Sequence, residues 1–112
     1  YSSSAASDVY KRQNYYNEFK GCYKNIMSQC ALHFVSDIGN VLKDFHGLLK
    51  SGGKGFASLN LIRLYENDNS TSLTKQLDKL KPIEDIIEEV IVVEEPHASG
   101  LDGNLHIIFK SP

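Results

Sequence analysis

Residues 28–60, SQCALHFVSDIGNVLKDFHGLLKSGGKGFASLN, decide the fold of this chain. They read as the end of a buried strand, a loop, an amphipathic helix, a Gly-Gly turn and a second buried strand. Two strands joined through a helix are typical of a crossover connection. The stretch therefore predicts one crossover unit of a parallel sheet.

Residues 37–49 have the periodicity of an amphipathic α-helix. Ser36 or Asp37 is placed to accept hydrogen bonds from the N–H groups of the first turn. Lys50 follows at the negative end of the helix dipole, and Gly52 is able to adopt a positive φ. The apolar side chains follow the i, i+3, i+4, i+7 spacing of one helical face: Ile38, Val41, Leu42, Phe45, Leu48 and Leu49.

The remaining segments alternate between strands and helices. Residues 24–30 predict an inner strand, because residues 25–34 contain no charged side chain apart from histidine. A second inner strand is predicted to begin in the apolar segment 54–64. Further predictions are a helix from Ser70 or Thr71 to Pro82, a short helix over residues 83–89, and strands over residues 90–93 and 105–109.

Gly100 and the Asp102-Gly103 pair lie between the last two predicted strands, where they permit a tight reversal. The last two strands are therefore expected to be antiparallel. The fold class predicted from these elements is α/β. It consists of half of a doubly wound sheet with two parallel inner strands, helices on the faces and a terminal antiparallel β-hairpin.

The composition is that of one small globular domain. Its 112 residues are 41% hydrophobic and carry 12 basic against 14 acidic side chains, a net charge of -2 that disfavours nucleic acid as a partner. Cys22 and Cys30 form neither a disulfide framework nor a CxxC metal pair. No apolar run has the length of about 20 residues that spans a bilayer, and no secretory signal is recognisable. We therefore expect a cytoplasmic protein with no membrane partner.

Residues 1–13 are rich in Ser and Ala and predict a disordered tail. They resemble a translated sequencing-adaptor read-through, which would make the tail artefactual and residues 14–112 a partial domain. After the tail, Tyr15, Tyr16, Phe19 and Tyr23 share one side of a short helix or turn. This stripe is either an aromatic binding wall or, as we favour, a surface that packs onto the sheet.

The pair Leu32-His33 and the run LLKSGGK over residues 48–54 resemble the C-terminal half of class I S-adenosylmethionine-dependent methyltransferases. In that family a strand ends in a loop that often contains Leu-His. The next helix runs into a Leu-Lys-Pro-Gly-Gly turn, and the last strand is inserted antiparallel between the fifth and sixth. The resemblance covers residues 24–112 and implies a Rossmann-like sheet.

This chain departs from the family pattern in two respects. Ser51 stands where the family most often has proline. The sequence also lacks a glycine-rich loop between a first strand and helix, and the acidic residue that follows it to hold the ribose hydroxyls. The resemblance therefore implies a C-terminal fragment of a methyltransferase that is inactive alone, and little or no binding of S-adenosylmethionine by this chain.

Ligands of a parallel sheet bind at the carboxyl ends of its strands. The candidate cofactor-binding or substrate-binding residues at these ends are Ser28, Gln29, Cys30, His33 and Asn60. His33 is the candidate catalytic residue, as a general base toward the methyl acceptor. A loop histidine that lines the pocket without chemistry is the favoured alternative. Cys30 is read as a buried small hydrophobe in preference to a nucleophile.

No metal site is predicted. Glu84, Asp85, Glu88 and Glu89 read as a solvated helix face. The spacing of His46, His97 and His106 matches no zinc motif.

The methyl acceptor cannot be identified from these residues. Self-association through an exposed edge of the strand at 24–30 is expected if the sheet lacks its other half. The alternative function, from a different class, is a small non-enzymatic α/β protein-interaction module.

Overall fold

The structure, a computed structural model, describes residues 13–29, 37–94 and 103–112. Residues 13–19 form helix α1. The following elements are β1 (Tyr23–Gln29), α2 (Ile38–Gly47), β2 (Leu49–Asn60), α3 (Leu61–Asp68), α4 (Leu73–Asp78), a 3₁₀ helix (Lys81–Ile86), β3 (Ile87–Glu94) and β4 (Gly103–Phe109).

The described strands form one open four-stranded sheet in the order β1-β2-β4-β3. β1 and β2 are parallel, whereas β4 is antiparallel to both β2 and β3. The chain is therefore a mixed α/β protein with one parallel pair. The predictions that β1 and β2 are parallel and that the last two strands are antiparallel are confirmed.

The prediction that both parallel strands are inner strands is wrong for β1 within the described residues. β1 has β2 as its one neighbour in the described sheet and lies at the edge. Met27, one residue past its centre, is 71% exposed. The lack of charge in this strand indicated burial on both faces, but the described helices cover only one face.

The described core lies on one face of the sheet, which we call the covered face. Ala57 and Leu59 of β2 and Leu105 and Ile107 of β4 are almost inaccessible there. Helices α2 and α3 and the 3₁₀ helix pack over these strands, with Leu42 of α2 fully buried. Since side chains of a strand alternate between faces, the paired residues Met27, Phe56 and Ile108 lie on the opposite face, which we call the outer face.

The second strand ends earlier than the sequence predicted. Residues 61–64, part of the apolar segment 54–64 assigned to this strand, begin helix α3. Asn60 is the N-cap, and its side-chain Oδ1 accepts a hydrogen bond from the N–H of Arg63 at 3.2 Å. Leu61, Leu64 and Tyr65 are buried at helical spacing, so burial of this face and the cap together favour a helix over a longer strand.

The predicted Gly-Gly turn is an irregularity inside β2. Tyr23 pairs with Leu49 and Asn25 with Lys54, so residues 50–53 of β2 stand opposite a single residue of β1. Gly52 has a φ of +79°, as expected. A Cβ on Gly53 would lie 2.9 Å from the carbonyl oxygen of Lys24, so this position requires glycine.

The short helix predicted over residues 83–89 is also different. A 3₁₀ helix ends at Ile86, and β3 begins at Ile87. Glu88 and Glu89 are therefore exposed residues of a strand and do not share a helix face with Glu84 and Asp85. β3 pairs with β4 along its length, and this tertiary pairing overrides the local helical pattern.

Helix α4 begins at Leu73, two or three residues after the predicted start. Ser72 is its N-cap, and its Oγ accepts a hydrogen bond from the N–H of Lys75 at 3.2 Å.

Asp37 precedes α2 as predicted, but its carboxylate accepts a hydrogen bond from Asn40 Nδ2 at 2.7 Å and does not cap the backbone.

Candidate functional site

The candidate site lies where β1 and β2 reach their carboxyl ends. Ser28 is paired with Ala57 and Gln29 with Ser58. Ser28 is half-buried and Gln29 is exposed, so Gln29 presents its amide to solvent at this edge. Cys30 and His33, the other two candidates of this loop, lie outside the described residues.

Asn60 stands at the end of β2, two residues beyond Ser58. Its Oδ1 is the cap of α3, so the part of this side chain that accepts hydrogen bonds is already engaged. Across the antiparallel pair, Asn60 lies opposite Asn104 of β4. The structure therefore gives Asn60 a structural role at the position where a ligand contact was predicted.

The same edge contains residues that were not predicted as site residues from the sequence. Gly103 and Asn104 begin β4, and Glu94 ends β3 opposite Gly103. These residues join the edge because β4 runs antiparallel to β2, which places its amino end beside the carboxyl end of β2. The antiparallel direction was predicted, so the assignment of Asn104 to this edge was within reach of the sequence.

Tyr65 of α3 is a buried tyrosine whose phenol is influenced by Glu94 of this edge. Burial is the main cause that raises the pKa of its phenol, and the negative charge of Glu94 raises this pKa further. The phenol is therefore neutral at physiological pH. A neutral phenol is able to donate a hydrogen bond but does not act as a base.

Gly103 fixes the backbone where β4 begins. Its φ is +153°, and a Cβ there would lie 2.4 Å from the carbonyl oxygen of Val93. Gly103 is one of the residues that permit the predicted reversal, and its φ in the structure is positive. Asp102 and the rest of the predicted reversal lie outside the described residues.

His106 lies on the outer face, opposite Ser58. Its ring stacks on that of Phe56 with centroids 5.5 Å apart. Its Nδ1 is buried and has no hydrogen-bond partner within the described part of the chain. The stack with Phe56 makes this histidine part of the sheet packing on the outer face.

His46 links α2 to the end of β4 and is half-buried. Its Nε2 lies 2.9 Å from the carbonyl oxygen of Lys110, and its ring is 5.9 Å from that of Phe109. His97 lies outside the described residues. Over residues 13–29, 37–94 and 103–112, no three side chains of His, Cys, Asp or Glu are grouped to hold a metal ion.

A charged cluster joins α3 to α4, away from the candidate site. Asp68 accepts hydrogen bonds from the ammonium group of Lys79 and from Gln76 Nε2, the latter at 2.6 Å. The hydrogen bond from Lys79 is the main cause that lowers the pKa of the Asp68 carboxyl. Gln76 is buried, and its Oε1 has no partner in the described ranges. This cluster stabilises the helical layer.

The aromatic stripe forms a cluster of its own. Tyr15 and Phe19 have ring centroids 4.6 Å apart, and Phe19 and Tyr23 6.2 Å apart. The hydroxyls of Tyr15 and Tyr23 are hydrogen-bonded at 2.5 Å, a contact that raises the pKa of Tyr23. Tyr16 lies against Gly47 at the end of α2. The stripe thus packs on β1 and α2, while Tyr15 remains 46% exposed.

The described edge offers polar side chains and one neutral phenol, and it offers no cluster of activated nucleophile and base. No helix in the described part of the chain is long and apolar enough to cross a membrane. No protein-family model matches this sequence, and a search of curated proteins finds no match.

Proposed function

We propose that this chain is the C-terminal part of a class I S-adenosylmethionine-dependent methyltransferase and is inactive alone. The observation that carries the proposal is the strand order β1-β2-β4-β3, with a parallel pair followed by a last strand inserted antiparallel before β3. The resemblance at Leu32-His33 and residues 48–54 implies the same arrangement. In this proposal β1 and β2 are the fourth and fifth strands of the family's sheet.

The exposure of β1 supports the proposal independently. Strands of a parallel sheet are normally buried on both faces by helices. β1 lies at an edge of the described sheet, and Met27 is largely exposed although the strand carries a single charge, at Lys24. An exposed strand whose residues 25–29 carry no charge is consistent with a sheet that continues beyond β1 in a longer protein.

The described residues fit S-adenosylmethionine only in part. Gln29 is exposed at the expected edge, but the acceptor atom of Asn60 is engaged in capping α3. The glycine-rich loop and ribose-binding carboxylate of the family have no counterpart in this sequence. The chain would therefore supply one wall of a cofactor crevice, and no methyl-transfer step is assigned to its residues.

The upstream reading frame of the gene tests this proposal most directly. We expect a strand, a glycine-rich loop and a helix to precede residue 14 in the natural frame. A natural frame without them would overturn the assignment.

Binding of S-adenosylmethionine gives a second test on the protein. We expect the 112-residue chain to bind no tighter than about 1 mM, which corresponds to about -4 kcal/mol. A longer chain that includes the upstream half is expected to bind more tightly. Micromolar binding by the 112-residue chain alone would contradict the proposal.

The role of Gln29 is testable in that longer chain. Removing one hydrogen bond of about 1 kcal/mol predicts that Gln29→Ala weakens binding about fivefold. Asn25→Ala is the matched control, because Asn25 lies on the same face at the other end of β1. If the two substitutions weaken binding equally, Gln29 is not a binding residue.

The alternative is a non-enzymatic interaction module, favoured by the partial exposure of the Tyr15, Phe19 and Tyr23 cluster. Under this alternative the 112-residue chain is complete in function. The expected observation is cooperative unfolding of the chain together with an upstream frame that contains no cofactor-binding half. The upstream frame thus distinguishes the two candidates.

A further inference from the structure

We propose that the edge of β1 that has no strand neighbour in the described sheet pairs with a second copy of this chain, in a two-fold antiparallel arrangement that places Met27 opposite Met27 of the second copy. This inference concerns the 112-residue chain and does not depend on the proposed function. It would extend the four-stranded sheet to an eight-stranded sheet in a closed dimer.

The two edges of the described sheet differ in composition. β1, with the sequence YKNIMSQ, has Lys24 as its single charged residue. Natural edge strands are commonly protected by charges, proline or bulges, and residues 25–29 contain neither charge nor proline. Its irregularity relative to β2 lies between Tyr23 and Asn25, so the pairing from Asn25 to Gln29 is regular.

β3, the other edge of the described sheet, is protected in the way that β1 is not. Its sequence IEEVIVVE carries Glu88, Glu89 and Glu94, all exposed. An antiparallel two-fold pairing centred on Ile91 would place Glu88 directly opposite Glu94 of the second copy. Like charges directly opposite each other destabilise strand pairing. Self-pairing is therefore favoured at β1.

β1 is complementary to β1 of a second copy. A two-fold axis at Met27 places Asn25 opposite Gln29 of the second copy and Ile26 opposite Ser28. The four amide side chains then lie on the outer face as two Asn25–Gln29 pairs, with the two Met27 side chains between the pairs. The two Lys24 residues are offset by six positions, or about 20 Å along the strands, so their charges do not oppose pairing.

Pairing at β1 would also cover apolar surface. Met27 and Phe56 line a shallow cleft of about 390 Å³ together with Ile108. Met27 of the second copy would lie about 5 Å from Met27 of the first copy, over the rim of this cleft. The contact combines backbone pairing with burial of these flexible apolar side chains.

The expected dimer is weak. One pair of seven-residue strands buries less than the roughly 1,200 Å² at the lower end of stable interfaces, so a dissociation constant of about 10 μM is expected. Sedimentation of the 112-residue chain from a few to several hundred μM should then move from the 12.5 kDa monomer to twice that mass. A monomer over the whole range would overturn the proposal.

Charge substitutions at Met27 test the geometry. Met27→Lys and Met27→Glu should each be monomeric, because each places two like charges side by side at the two-fold axis. An equimolar mixture of the two variants should recover the dimer, because the opposite charges then meet. If mixing gives no dimer although the unsubstituted chain dimerises, Met27 does not face Met27 and the proposed register is wrong.

Ile91→Lys is the matched control on β3. Ile91 is 38% exposed on the same outer face, so the substitution adds the same charge to the other edge. This variant should dimerise like the unsubstituted chain. Loss of dimerisation in Ile91→Lys, or a ladder of species above the dimer, would instead indicate an interface that involves β3. Circular dichroism of each variant checks that it is folded.

Failure of this proposal is distinguishable from failure of the proposed function. The dimer is judged by mass and by the mixing experiment, whereas the methyltransferase assignment is judged by the upstream reading frame. A longer chain in which another strand pairs with β1 is expected to be unable to form this dimer.

Discussion

The two faces of the sheet differ although the same strands form both. In β4, Leu105, Ile107 and Phe109 are buried on the covered face, whereas Asn104, His106 and Ile108 are only half-buried on the outer face. The described helices pack on the covered face. In the described sheet, the core is therefore built by every second residue of β4. The intervening residues of β4 keep part of their surface exposed on the outer face.

The largest expected effect is loss of a core side chain. Leu59→Ala on the covered face should lower the free energy of unfolding by about 2–5 kcal/mol, because Leu59 is 1% exposed and its removal leaves a cavity. Ile91→Ala on the outer face should lower it by less than about 1 kcal/mol. Urea unfolding followed by circular dichroism measures both. Similar losses for the two variants would remove the distinction between the faces.

Gly103 provides the next largest effect. Gly103→Ala should cost about 2–4 kcal/mol, because it combines a strained φ with a clash against the carbonyl oxygen of Val93. Gly52→Ala is the control, since Gly52 also has a positive φ but a Cβ there meets nothing within 4 Å. Its cost should be about 1–2 kcal/mol. Thermal unfolding of the two variants separates the clash from the backbone strain.

The cluster around Asp68 adds a pH dependence to the helical layer. Asp68→Asn removes the ion pair with Lys79 and should cost about 1–2 kcal/mol near pH 7. The pKa of Asp68 is lowered in the folded protein, so its contribution is present above the unfolded pKa and is lost as pH falls through the folded pKa. The difference between Asp68→Asn and the unsubstituted chain should therefore shrink below about pH 3.8. A difference that is independent of pH would contradict this role.

The smallest effect is expected at the cap of α3. Asn60→Ala should cost about 1 kcal/mol, because the N–H of Arg63 loses its side-chain acceptor. Asn60→Asp keeps an acceptor oxygen at the N-cap and should be close to neutral. Chemical denaturation of both variants tests the structural role of Asn60. A loss in Asn60→Asp equal to that in Asn60→Ala would show that the cap is not what Asn60 supplies.

The sequence predicted the elements that depend on periodicity. Helix α2, the parallel pair β1 and β2, and the antiparallel pair β3 and β4 were all predicted within a few residues. Short apolar runs were less informative, because residues 61–64 fit a strand and a helix equally until Asn60 is recognised as an N-cap. Residues 87–89 were predicted as helix because the local spacing of apolar residues gives no information about pairing with β4.

The candidate site was predictable in position but not in composition. The carboxyl ends of β1 and β2 follow from the parallel crossover, and Ser28, Gln29 and Asn60 lie there. That Asn60 is engaged with α3 depends on a helix that was not predicted, because residues 61–64 were assigned to a strand. The contributions of Tyr65 and Glu94 depend on tertiary packing that no local pattern specifies.

The position of β4 between β2 and β3 has a consequence for synthesis of the chain on the ribosome. β3 emerges before β4, yet in the described sheet its strand partner is β4 alone. Until residues 103–109 leave the exit tunnel, β2 and β3 cannot be joined and Ile107 is missing from the core. Nascent chains that stall before this point would expose the unpaired strand β3 and the open edge of β2, which makes them candidates for chaperone binding and early degradation.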